Sequence, residues 1–75
     1  MTASNVVLYS MNNCANCKKA KMLLESKGYT IDVRSIDEDV DAMRFISEGG
    51  YRSMPQIFIG ETHIGGYNDL LKYLD

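Results

Sequence analysis

Two cysteines separated by two residues, Cys14-Ala15-Asn16-Cys17, are the only cysteines of the chain. They stand between an apolar run, Val6-Val7-Leu8-Tyr9, and a segment with helical character, Lys18-Lys19-Ala20-Lys21-Met22-Leu23-Leu24. A Cys-x-x-Cys at a strand-to-helix junction puts both sulfurs at one end of one helix, and it is a redox signature. Cys14 then sits at the helix start, where free backbone N–H groups and the helix dipole stabilise a thiolate. Cys17 lies one turn on, on the same side, and can close a disulfide with it. The thiolate is the reactive form, so a thiol held below its ordinary titration range is a nucleophile at neutral pH. The competing chemistry is half a zinc site. A closed zinc site takes four ligands, and beyond this pair the chain offers His63 as its one nitrogen donor and no second cysteine pair.

The chain has 75 residues, which make one domain over residues 1–75 with a small core and a thin stability margin. A net charge of −2, with no basic patch carrying interleaved aromatics, speaks against nucleic acid. No apolar stretch approaches membrane-spanning length. Met1-Thr2-Ala3-Ser4-Asn5 has neither a positive n-region nor an apolar h-region, so no secretory leader is expected. Two cysteines are too few for the disulfide framework of a small secreted domain. The expected setting is a reducing, cytoplasmic one, in which the pair cycles rather than staples. A monomer with no membrane partner is expected.

Residues 5–10 read as a buried strand followed by the polar turn Asn12-Asn13. Residues 15–27 read as a helix stopped by Gly28. Tyr29 to Ile36 alternates Ile31 and Val33 with polar residues, a strand pattern. Asp37-Glu38-Asp39 loads acid where the dipole of a following helix favours it. That helix shows a face of Val40, Met43 and Ile46 with Ala42 and Phe45 alongside, and Gly49-Gly50 end it. Ile57-Phe58-Ile59 is a short buried strand, Gly60-Glu61-Thr62 a turn, His63-Ile64 a return strand and Gly65-Gly66 a break. Residues 67–74 form a last helix with Leu70, Leu71 and Leu74 as its apolar face. The order β-α-β-α-β-β-α gives a right-handed parallel pair first and a hairpin last. The fold class is α/β, a four-stranded mixed sheet flanked by three helices in the thioredoxin-like arrangement.

Three separated motifs carry a resemblance that runs nearly end to end. They are Cys14-x-x-Cys17, then Ser53-Met54-Pro55-Gln56-Ile57-Phe58-Ile59, then His63-Ile64-Gly65-Gly66-Tyr67-Asn68-Asp69-Leu70. In this order and spacing the chain resembles the glutaredoxin family. The resemblance implies a glutathione-dependent thiol–disulfide oxidoreductase that binds no permanent cofactor and uses glutathione as cosubstrate. It implies a cis bond before Pro55, where a strand-edge proline is the plainer reading. Met54 then presents its backbone beside Cys14, and an extended thiol substrate can pair with it like an added strand. The N–H groups of Asn68 and Asp69 suit a carboxylate and the Asp69 carboxylate an ammonium, the two charges of the γ-glutamyl end. Gly66 allows close approach. Asp69 as a plain helix cap is the simpler reading, and both can hold together. Candidates for the glycine carboxylate are Lys18, Arg52 and Gln56, with Lys18, Lys19 and Lys21 otherwise a solvated helix face.

Met11, Met22, Met43 and Met54 read as core or gap filling, Met54 also through its backbone. Tyr9, Tyr29, Tyr67 and Tyr73 read as half-buried packing, Tyr51 and Tyr67 as candidates for a groove wall, and His63 as structural or exposed. The chain departs from the family's usual pattern in Ala15-Asn16 for Pro-Tyr, in Met11, Asn12 or Asn13 for a basic residue, in Ser53-Met54 for Thr-Val, and in stopping at Asp75. The expected partners are glutathione and disulfide-containing or glutathionylated proteins. Gly50-Tyr51-Arg52 looks like the glutaredoxin-like electron donors of ribonucleotide reductase that thioredoxin reductase reduces. A glutathione-assisted iron–sulfur cluster carrier is the alternative of another class.

Overall fold

Strand β1 (Asn5–Ser10) carries an unbroken apolar run because it lies at the centre of the sheet. The structure, a computed structural model, describes residues 5–74. Met1–Ser4 and Asp75, on which the expectations about a leader and the chain end fall, lie outside the described residues. Strand β1 pairs in parallel with β2 (Thr30–Ser35) and antiparallel with β3 (Gln56–Ile59), with Leu8 opposite both Val33 and Ile57. Strand β4 (Thr62–Gly65) closes the other edge against β3, giving the order β2-β1-β3-β4. Helices α1 (Ala15–Ser26), α2 (Val40–Glu48) and α3 (Tyr67–Leu74) complete the expected element order.

Alternation along the strands builds two cores. Val6, Leu8, Ile57 and Ile59 face α1 and α3, where Ala20, Leu24 and Leu70 meet them. Tyr9, with Val7 and Phe58, faces α2 and its Ala42 and Ile46. This second layer is largely aromatic. Tyr9 stacks on Phe45 at a centroid distance of 5.0 Å, and Phe45 stacks on Tyr51 at 5.9 Å. Strand β2 leaves a free edge and carries an Asp32–Arg34 ion pair at 2.8 Å. Such an exposed pair contributes at most about 1 kcal/mol, and charge on an edge strand discourages unwanted pairing.

Helix ends follow local chemistry. Asp39 caps α2, accepting from the Asp41 and Ala42 N–H groups at 3.0 and 3.2 Å. Helix α1 stops at Lys27, and Gly28 follows at φ +87°, a left-handed conformation that favours glycine.

Several packing expectations are corrected. Met22 is 68% exposed, Met43 49% and Met11 is exposed as well, so these three do not fill the core. Helix α1 buries a single stripe, Cys17, Ala20 and Leu24, and Met22 lies off it. The nine residues of α2 bury only Ala42 and Ile46, one turn apart, which turns Val40 and Met43 outward. Phe45 keeps an exposed edge while its face meets the other rings. On α3, Leu70 is buried, Leu74 half-buried, and Leu71 and Tyr73 are exposed. Tyr9 is buried outright, whereas Tyr29 and Tyr67 are half-buried. The return strand begins at Thr62, one residue earlier than read, and includes Gly65.

The exposure difference on α1 sets an expected outcome. Leu24→Ala removes a fully buried side chain and should cost about 2–5 kcal/mol. Met22→Ala should stay within about 0.5 kcal/mol. Urea denaturation of both variants checks this, and equal losses would contradict the packing described.

Candidate active site

Helix α1 begins at the first cysteine. Cys14 is its N-cap, with φ −112° and ψ 103°, and its Sγ accepts the Cys17 N–H at 3.1 Å. A sulfur in this position receives a backbone donor and the positive end of the helix dipole. Cys14 and Cys17 are both buried, form a disulfide, and have their Cα atoms 5.2 Å apart. Burial therefore does not separate the two sulfurs. Position does, since Cys14 caps the helix and Cys17 belongs to its first turn.

The loop that leads into Cys14 is tied to the loop after β2. The Ile36 N–H donates to the Ser10 carbonyl at 2.9 Å, and the Asn12 N–H donates to Asp37 Oδ2 at 2.6 Å. Asn13 takes φ +58°, a conformation asparagine tolerates better than most residues. The acid-rich stretch thus splits its work: Asp39 caps α2, and Asp37 holds the active-site loop.

The proline motif shares a cavity with Asn16 of the first turn of α1. The Met54–Pro55 bond is cis, and Pro55 is buried. Gln56 is the buried polar residue beside it, and both ends of its amide are engaged. Its Nε2 donates to the Ser53 carbonyl at 2.9 Å, and its Oε1 lies 2.8 Å from His63 Nε2. An amide oxygen only accepts, so His63 carries its proton on Nε2. The His63 ring also packs against Phe58 and Tyr51, with centroids 4.7 and 5.2 Å apart.

The glycine motif supplies the next wall. Gly65 pairs with Ile57 and His63 with Phe58, which leaves Ile64 as the extra residue of a bulge. Such a bulge re-aims the strand that carries it. Gly65 has φ +115°, and a Cβ there would run into the Asp69 carboxylate, so glycine is required twice over. Asp69 Oδ2 accepts the Gly66 N–H at 3.0 Å, and the Leu70 N–H donates to the Gly66 carbonyl at 3.0 Å. Asp69 is therefore a helix cap that reaches back from the first turn of α3.

Arg52, Met54, Pro55, Gln56, Gly66, Asn68 and Asp69 line one cavity of about 510 Å³, together with Asn16, Tyr51, His63 and Tyr67. Lys18 is not among them. It lines a separate cavity of about 540 Å³ with Cys14 and Cys17. Positions 16 and 18 lie roughly 200° apart around a helix with 3.6 residues per turn, so they face opposite sides of α1. Sequence reasoning missed the Asp37 tether and the His63–Gln56 contact. Their partners lie 25 and 7 residues away, and no local signal marks either. Among the described residues no group of three or more His, Cys, Asp or Glu side chains is placed to hold a metal ion, and no helix is long and apolar enough to cross a membrane.

A family model for glutaredoxin matches residues 6–64. A glutaredoxin of Neisseria meningitidis is 42% identical over 69 residues, covering 89% of this chain and 81% of that protein. Among solved structures, glutaredoxin 1 of Francisella tularensis complexed with cacodylate aligns with a TM-score of 0.82 at 31% identity, covering 97% of this chain and 94% of that one. A buckwheat glutaredoxin–glutathione complex aligns with a TM-score of 0.79 at 25% identity, covering 95% of this chain and 68% of that one.

The Asp37 tether is testable without reference to activity. Asp37→Ala leaves the Asn12 N–H to water at a cost of about 1 kcal/mol for this exposed bond, which is roughly fivefold in a local opening equilibrium. Amide exchange at Asn12 should quicken by about that factor while the Leu24 amide is unchanged. Unchanged exchange at Asn12 would show that the loop holds itself.

Proposed function

The chain belongs to the glutaredoxin family and is a thiol–disulfide oxidoreductase, and on that premise we propose that it is glutathione-dependent, with Cys14 the attacking sulfur and Cys17 the resolving one. The Cys14 thiolate attacks one sulfur of a substrate disulfide, forms a mixed disulfide and expels the other sulfur as a thiolate. With a protein disulfide, Cys17 loses its proton and attacks the Cys14 sulfur. The second substrate thiolate leaves, and Cys14–Cys17 is oxidised by two electrons. Two glutathione molecules return those electrons and leave as glutathione disulfide. With a glutathionylated protein the Cys14 thiolate takes the glutathionyl group, and a second glutathione removes it.

One observation carries the glutathione reading: a single cavity has Arg52 and the Asp69 carboxylate among its lining residues and opens at the start of α3. Glutathione is a short extended peptide with a glycine carboxylate at one end and both an ammonium and a carboxylate at the other. Arg52 suits the first end, with the second Nε2 hydrogen of Gln56 still available beside it. The N–H groups of Asn68 and Asp69 suit the γ-glutamyl carboxylate, and the Asp69 oxygen not used on Gly66 suits the ammonium. Met54 offers its backbone to the cysteine between them. The buckwheat glutaredoxin–glutathione complex, a structure of similar fold, supports the assignment. We leave Lys18 out of this assignment, since it lines the other cavity.

Two sets of variants test this. Cys14→Ser should abolish all disulfide reduction, whereas Cys17→Ser should lose protein-disulfide reduction and keep deglutathionylation. Equal loss of deglutathionylation in both would remove the assigned roles. Asp69→Asn keeps an oxygen for the Gly66 N–H but removes the charge. Losing one charge-assisted contact is worth on the order of 1.5–3 kcal/mol, so the affinity for glutathione should fall roughly ten- to a hundredfold. The thermal melt should barely move. Wild-type glutathione kinetics in that variant, combined with efficient reduction of the oxidised protein by thioredoxin reductase, would move the ribonucleotide-reductase donor reading ahead.

A further inference from the structure

The cavity beside the disulfide differs in character from the one assigned to glutathione. Its lining includes both cysteines, and its charged side chains are two cations, Lys18 and Lys21. Cys14, Lys18 and Lys21 are spaced i, i+4 and i+7, which puts them on one face of α1 above the reacting sulfur. Below the lysines lies apolar surface: buried Leu8, and Met11 and Val33, exposed at 43% and 42%. The acid on the adjoining loop, Asp37, accepts the Asn12 N–H on its Oδ2 and does not line the cavity.

We propose that this cavity receives the residues next to the cysteine of a protein substrate, and that Lys18 and Lys21 select segments with acidic residues there. The proposal rests on Cys14 as the attacking sulfur and is independent of the glutathione cavity. A segment bonded to Cys14 places its next residues within about 3.3–3.6 Å per position of the sulfur, so the flanking side chains reach the lysine rim. An acidic flank pairs with the cations, while the alkyl parts of the segment cover Met11 and Val33. The exchange step itself is unaltered: Cys14 gains a bond to one peptide sulfur, the other peptide sulfur leaves with the electron pair, and Cys17 completes the two-electron transfer. Lys18 and Lys21 choose the substrate and donate no proton.

The overall charge of the chain makes the proposal discriminating. A net charge of −2 attracts a basic peptide over an acidic one at long range, so a preference for the acidic peptide requires the local lysines. The test uses two disulfide-linked peptide dimers, one with glutamates on both sides of each cysteine and one with lysines. Dithiothreitol regenerates the enzyme dithiol, so glutathione is not involved. Rates with dithiothreitol alone correct for the different intrinsic reactivity of the two peptides. The wild type should show a corrected kcat/KM about three- to tenfold higher for the acidic dimer at low salt, and the difference should shrink at high salt. Lys21→Glu should abolish or invert the preference, and the neutral Lys21→Gln should fall between. Lys21 is exposed, so both variants should melt like the wild type. Equal corrected rates for the two dimers in the wild type, or a preference that survives Lys21→Glu, would overturn the proposal.

Discussion

Strand β1 is hydrogen-bonded on both edges and covered on both faces, so its four apolar residues meet two different cores. That double burial holds the C-terminal end of the strand in place, and the active-site loop starts there. Six residues of strand and a three-residue loop, Met11–Asn13, lead to Cys14 at the start of α1. The end of the strand and the loop are held by one bond each, at Ser10 and at Asn12, to the segment after β2, a strand whose register is set by pairing with β1. A sulfur at the end of so constrained a path needs no help from its own burial to be well placed. One backbone donor then meets it at 3.1 Å.

Much of this is legible in the linear chain because the signals are local. Strand and helix periods, Gly28 after α1 and the Cys-x-x-Cys spacing each depend on neighbours within a turn or two. Met22, Met43 and Val40 show where such reading ends. A period tells which residues share a helix face, but not how much of that face the next layer can cover. Here α2 alone covers one side of the sheet, and its flanks stay wet. The two cavities show the same limit from another side. Lys18 and Arg52 both read as candidate cations along the sequence, yet the turn of α1 takes Lys18 away from Asn16 and Arg52, which share the other cavity. Along the sequence Asp37 reads as helix-terminal acid, because three acidic residues precede α2. Which of them caps the helix is decided in three dimensions.

The two walls around the disulfide have opposite designs. The wall on the proline and glycine side is heavily cross-linked within itself, through Gln56 to Ser53, His63 to Gln56 and Asp69 to Gly66. Its polar groups are oriented before any ligand arrives, which reduces the ordering cost of binding a small, specific molecule. The lysine wall offers long flexible side chains over apolar surface, an arrangement suited to variable polypeptide.

The proton on His63 Nε2 has a consequence for the way Gln56 faces the cavity. Because Gln56 Oε1 accepts from that nitrogen while its Nε2 donates to the Ser53 carbonyl, turning the amide over would set oxygen against oxygen at Ser53 and N–H against N–H at His63. The amide therefore keeps one orientation, with one Nε2 hydrogen left over in a cavity that Arg52 also lines. A histidine with no place in the exchange chemistry thus decides which end of a neighbouring amide a ligand meets.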